Sequence, residues 1–88
     1  MKIKSGFIIR EVAGSYLALA TGELSKIYNG SLTLNSSAKF LFDSMQEETT
    51  KEEVVKKMLE YYDDLDEETA SNAVDKFVSK LREENLLD

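Results

Sequence analysis

The 88-residue chain contains no cysteine, no histidine, no proline and no tryptophan. Without cysteine there is no disulfide framework, no thiol nucleophile and no thiolate metal site. Without histidine the commonest general base, proton shuttle and metal ligand are all missing. No apolar run approaches the ~20 residues that a membrane-spanning helix needs. No signal-peptide pattern precedes the first apolar segment, so the expected location is cytoplasmic. Basic residues are in deficit, 11 against 17 acidic ones, and the net charge of -6 opposes binding to phosphate backbones or anionic lipid. The expectation is a protein without a nucleic-acid or membrane partner.

What is present suffices for one domain, 1–88. A chain of this size buries roughly 60–65% of its unfolded surface, enough for one modest core. The run Phe7-Ile8-Ile9-Arg10-Glu11-Val12 is rich in β-branched residues and stops at Ala13-Gly14-Ser15. A strand-like pattern resumes in Tyr16-Leu17-Ala18-Leu19-Ala20, which makes the pair a β-hairpin. After a second break at Thr21-Gly22-Glu23, residues up to Leu34 offer a third strand. The predicted strands are about 7–12, 16–20 and 26–34, in an antiparallel meander.

Helices follow. Asn35 reads as an N-cap, and Ala38, Leu41, Phe42 and Met45 recur at helical spacing behind it. Thr50 with Glu53 matches a capping box, followed by Val55, Met58, Leu59 and Tyr62. Asp66 is a third cap, with Glu67 and Glu68 in the favourable first turn. The predicted helices are about 36–46, 51–62 and 67–84, with Leu86-Leu87 as an apolar tail that folds back. The fold class is therefore α+β: a winged helix-turn-helix-like arrangement, with a three-stranded antiparallel sheet followed by three helices.

Catalysis is not expected. Asp63, Asp64, Asp66, Glu67 and Glu68 cluster at one turn, but they read as solvated turn and cap residues. They do not match the spaced oxygens of a calcium loop, and no metal or cofactor is expected. The four glycines stand singly, eight residues apart, which suits a meander and not a phosphate loop. A DNA-reading role for the third helix meets a net acidic outer face of Glu68, Asn72, Asp75, Lys76, Ser79 and Glu83. Phe40 lies off the first helix's stripe and is expected to pack beneath the 21–25 turn.

A binding module fits better. One outer strand of a meander must be an edge, and the third has no proline and no charge beyond Lys26. Tyr28, Gly30, Leu32 and Leu34 share one side of that predicted strand, with Gly30 leaving room for a foreign backbone. The third helix's apolar arc, about 140° wide, exceeds the ~100° that covers one core face. Val74, Phe77 and Val78 at its rim can line a groove beside the edge. The acidic surface would favour a partner with basic patches.

The ordered set Gly6-Phe7-Ile8-Ile9-Arg10-Glu11-Val12-Ala13-Gly14, Tyr16, Tyr28-Asn29-Gly30-Ser31-Leu32-Thr33-Leu34-Asn35 and Ala38 resembles the PqqD family, named for pyrroloquinoline quinone biosynthesis. Glu52-Glu53-Val54-Val55, Asp66-Glu67-Glu68-Thr69-Ala70, Phe77-Val78-Ser79-Lys80-Leu81 and Leu86-Leu87 extend the likeness over the whole chain. The resemblance implies a non-catalytic peptide chaperone that captures the leader of a ribosomally made precursor peptide as an added strand. It would then present that leader to a modifying enzyme, often of the radical S-adenosylmethionine type. The implied peptide-binding positions are Lys26, Ile27, Tyr28, Asn29, Gly30, Ser31 and Leu32 on the strand. On the helix they are Ala70, Val74, Phe77, Val78 and Leu81. The absence of proline departs from members that serve quinone biosynthesis, and points to another modified-peptide system. The alternative reading is a winged-helix regulatory module docking to protein or associated with DNA. An open edge also permits either a monomer or a homodimer.

Overall fold

In the computed structural model, which describes residues Met1 to Asp88, the hairpin consists of β1 (Phe7–Val12) and β2 (Ser15–Ala20). They pair antiparallel from Phe7↔Ala20 to Val12↔Ser15. The two linking residues, Ala13 and Gly14, have φ of 50° and 83°. Positive φ at both central positions is the requirement of a two-residue type I′ turn, whose twist matches that of the strands.

The third strand is shorter than the pattern 26–34 predicts: β3 is Ser31–Leu34. Before it, Gly22–Lys26 winds into a 3-10 turn that begins at Gly22, with φ 56°, and buries Leu24. The Leu24 carbonyl accepts from the amides of Ile27 and Tyr28, at 3.1 and 2.9 Å. With those amides turned back on Leu24, residues 26–30 cannot extend the ladder. Apolar Leu24, Ile27 and Tyr28 look strand-like in sequence, but they serve a turn.

The sheet order is β1-β2-β3, so β3 pairs with β2 alone and its other side has no partner strand. Leu32 and Leu34 point into the core, whereas Ser31 and Thr33 face outward. Ala18, opposite Leu32 in the register, is fully buried.

All three predicted caps form. Asn35 Oδ1 accepts from the Ala38 amide at 2.8 Å and opens α1 (Ser36–Ser44). Thr50 Oγ1 accepts from the Glu53 amide at 3.2 Å and opens α2 (Lys51–Tyr61). Asp66 Oδ1 accepts from the Thr69 amide at 2.7 Å and opens α3 (Glu67–Glu83). Each satisfies one of the amides that a helix start leaves free. At the far end of α3, Asn85 adopts φ 57° and the Leu86 amide reaches the Leu81 carbonyl at 2.8 Å. This left-handed closure turns the chain so that Leu86 is wholly buried.

One core holds sheet and helices together: Leu32 and Leu34 from β3, Leu41 and Phe42 from α1, Val54, Val55 and Met58 from α2, and Ala70, Val74 and Leu81 from α3. Residues 1–6, to which the sequence pattern assigned nothing, add to it. Ile3 is buried and bridges to Leu87, while its amide donates to Met45 at 2.9 Å. The Lys4 amide donates to Leu86 at 2.8 Å, so the N-terminal segment straps the tail of α3 to the α1–α2 corner. Phe40 is not beneath the 21–25 turn. It packs on Tyr61 and Tyr62, with ring centroids 4.7 and 5.6 Å away, because its side of α1 faces the end of α2.

Candidate peptide-binding groove

The free side of β3 overlooks α3 across a groove of about 290 Å³. Leu32, Leu34 and Leu41 line it from sheet and α1, and Ala73, Phe77 and Leu81 line it from α3. The α3 contributors repeat as Ala73, Lys76, Phe77 and Lys80, an i, i+3, i+4, i+7 stripe along one face. That stripe is rotated from the one formed by Ala70, Val74 and Leu81, which enters the core. Two adjacent stripes on one helix explain why its apolar arc is broader than core packing requires. The polar lip opposite consists of Thr33, Asn35 and Ser37.

The expected binding residues divide accordingly. Ser31 and Leu32 lie in β3, and Leu32, Phe77 and Leu81 line the groove. Ala70 and Val74, at 0% and 1% exposure, lie in the core and outside the groove. Leu32 and Leu81 form its floor at 3% and 0% exposure, and Phe77, half-buried, is the expected residue with accessible surface there. Val78 is half-buried but is not among the groove's walls. Lys26, Ile27, Tyr28, Asn29 and Gly30 lie in the turn that precedes β3 and do not line the groove.

Tyr28 has a different task. Its ring meets Phe7 edge-on at 6.2 Å, and its hydroxyl donates to the Ser31 carbonyl at 3.0 Å. Burial first, and the Glu84 carboxylate second, push its phenol above the ordinary value. Gly30 sits under this ring. A Cβ there would lie 3.4 Å from the Tyr28 ring, an ordinary contact, and Gly30 has no positive φ. Gly30 therefore meets a tyrosine of its own chain where an incoming backbone was expected.

Sequence reasoning missed Lys76, Lys80, Ala73 and the Thr33–Ala38 lip. The signal was the second stripe, set one step around α3 from the core-facing one. A shallower hollow of about 580 Å³ continues from the groove through the shared residues Ser37 and Ala73. Tyr61, Tyr62, Asp63 and Asp64 border it.

The two outer strands differ in how they discourage stray pairing. β1 carries Arg10 and Glu11, whereas β3 carries no charge at all. An uncharged edge beside an apolar groove can accept a strand whose backbone bonds to β3 and whose alternate side chains enter the groove.

The family model described as coenzyme PQQ synthesis protein D (PqqD) matches residues 8–87. The chain belongs to the PqqD family. Among curated proteins none matches it in sequence. Of solved structures, that of TbiB1 in complex with the TbiA(beta) leader peptide is similar, with a TM-score of 0.74. The likeness covers 100% of this chain and 95% of TbiB1 at 18% identity, so it concerns the PqqD-like fold. Both chains share the three-stranded antiparallel sheet followed by three helices. In this PqqD protein no helix is long and apolar enough to cross a membrane.

Proposed function

We propose that this chain is a non-catalytic peptide-binding partner protein that holds the leader of a ribosomally made precursor for a modifying enzyme. The observation that carries this reading is the uncharged, unpaired outer side of β3 facing an apolar groove on α3. Membership of the PqqD family and a fold shared with a chain solved together with a leader peptide support it. The leader adds as a strand beside residues 31–34, and its backbone supplies affinity that depends little on sequence. Side chains of one parity enter between β3 and α3, where the half-buried Ala73 and Phe77 meet apolar anchors over a closely packed floor of Leu32 and Leu81. A radical S-adenosylmethionine enzyme is the partner class that the family likeness favours, and the captured peptide would be presented to it for modification.

The test uses a synthetic leader from a precursor gene neighbouring this one. Ala73→Tyr fills the groove from α3 without entering the Ala70–Val74–Leu81 stripe. Calorimetry is expected to show about a tenfold or greater loss of leader affinity, with the circular dichroism of the free protein unchanged. Hydrogen exchange in the wild type should show new protection of outward-facing amides in 31–34 on leader binding. Unchanged affinity in Ala73→Tyr together with unprotected β3 amides would overturn the reading.

A further inference from the structure

The groove's charge runs against that of the molecule. The chain carries 17 acidic and 11 basic residues, yet none of the twelve groove-lining residues is acidic and two are lysines. Those two, Lys76 and Lys80, stand one helical turn apart on the exposed lip of α3. Neither is engaged in an ion pair, unlike Lys26, Lys39 and Lys51, which meet Glu23, Asp43 and Asp75. The carboxylate next to Lys76 in sequence, Asp75, is turned to Lys51 on α2 at 2.9 Å, and Glu83 and Glu84, three and four residues beyond Lys80, make no ion pair with it. The lip thus presents two ammonium groups without ion-pair partners beside an apolar floor, in a molecule whose net charge is -6.

The geometry points to an acidic occupant: Lys76 and Lys80 form a carboxylate-reading rail that selects an extended peptide bearing Asp or Glu at two positions two residues apart. This deepens the leader-binding reading and rests on it. Four residues of α3 rise about 6.0 Å along the helix. Side chains on one face of a strand recur every 6.6 to 6.8 Å, approximately. An added strand running along the groove therefore brings successive helix-facing positions to the two ammonium groups in step. Other positions along the same face are free to place an apolar side chain over the half-buried Phe77. Thr33, Asn35 and Ser37 on the opposite lip supply uncharged hydrogen-bonding groups, and none of them repels a carboxylate. The overall acidity of the protein would repel such a peptide at long range. The two lysines act at contact distance, where salt screens less and alignment counts. Local charge at the groove therefore decides the ligand's sign, and the basic partner inferred from net charge does not apply to this site.

A displayed library of random 12-residue peptides, selected in parallel on the wild type and on Lys76→Glu/Lys80→Glu, tests the proposal. Peptides enriched by the wild type should carry net negative charge with Asp or Glu at i and i+2. The double reversal should enrich Lys and Arg at those positions and weaken the best wild-type peptide by about tenfold in fluorescence polarisation. Lys76→Gln/Lys80→Gln, which removes charge without adding any, should give a smaller loss and a flatter salt dependence. This neutral pair keeps the test decisive if the reversal does not fold. Wild-type peptides that are neutral or basic, or an acidic set bound equally by the variants, would overturn the rail while leaving peptide capture intact. No enrichment on any of the proteins would overturn peptide capture itself, and the rail with it.

Discussion

Ala13 occupies the left-handed region at the first central position of the β1–β2 turn, where a side chain with a Cβ is disfavoured by about 1 kcal/mol. Asparagine tolerates that region, and Asn-Gly is the preferred pair for this turn. Ala13→Asn is accordingly expected to stabilise the protein by roughly 0.5–1 kcal/mol, read as a higher midpoint in urea at unchanged m-value. A lower midpoint would mean that the turn is not under this strain. Gly30 poses the opposite case. Its backbone needs no glycine, and a methyl group would only touch the Tyr28 ring. Gly30→Ala should be neutral or stabilising by up to about 1 kcal/mol, through a less flexible unfolded chain. Leader affinity should not change either, since residue 30 lies outside the groove. Affinity lost at unchanged stability would place the peptide further along the chain than β3 allows.

Caps and stripes were legible at the scale of elements because each is a local rule. Asn35, Thr50 and Asp66 each precede a 3.6-residue apolar period, and each accepts the amide that its position predicts. The missed element, the 3-10 turn at Gly22–Lys26, was illegible for a physical reason. Leu24, Ile27 and Tyr28 have the apolar content of a strand, and only the carbonyl of Leu24, taking two amides, decides otherwise. The α3 cap carries a pH dependence. Hydrogen bonding by Thr69, its backbone amide first, lowers the Asp66 carboxyl below its ordinary value. A carboxyl depressed in the folded state adds stability above its unfolded pKa, and that stability is lost as pH falls through the folded one. Between neutral pH and about pH 3, Asp66→Asn, which caps without titrating, should lose less stability than the wild type. Circular dichroism against pH reads the difference, and parallel curves would show that the Asp66 charge contributes nothing to the α3 terminus.

For the molecule as a whole, the sheet–helix order could be read from the sequence, but the site only in part. Phe77, Leu32 and Leu81, expected as binding residues on pattern and resemblance, line the groove, Leu32 and Leu81 as its buried floor, whereas Val74 and Ala70 lie in the core away from it. Only the rotation of α3 against β3, set by packing over α1 and α2, separates the two stripes. That packing also decides what peptide capture does to the fold. β3 is a four-residue strand held on one side, next to a turn, and the groove leaves apolar surface of Ala73 and Phe77 without a partner strand. An added strand bonds only to the folded chain, so it must stabilise that chain by mass action. At a leader concentration of 100 times Kd the gain is about 2.7 kcal/mol. For a domain of this size each kcal/mol moves Tm by roughly 4–8 °C, so a shift on the order of 10–20 °C is expected in a thermal melt. Ala73→Tyr, with its Kd raised about tenfold, should at the same peptide concentration keep about half of that shift or less, on the order of 5–10 °C. An equal shift in that variant would mean that the peptide stabilises the fold from a surface other than β3 and α3.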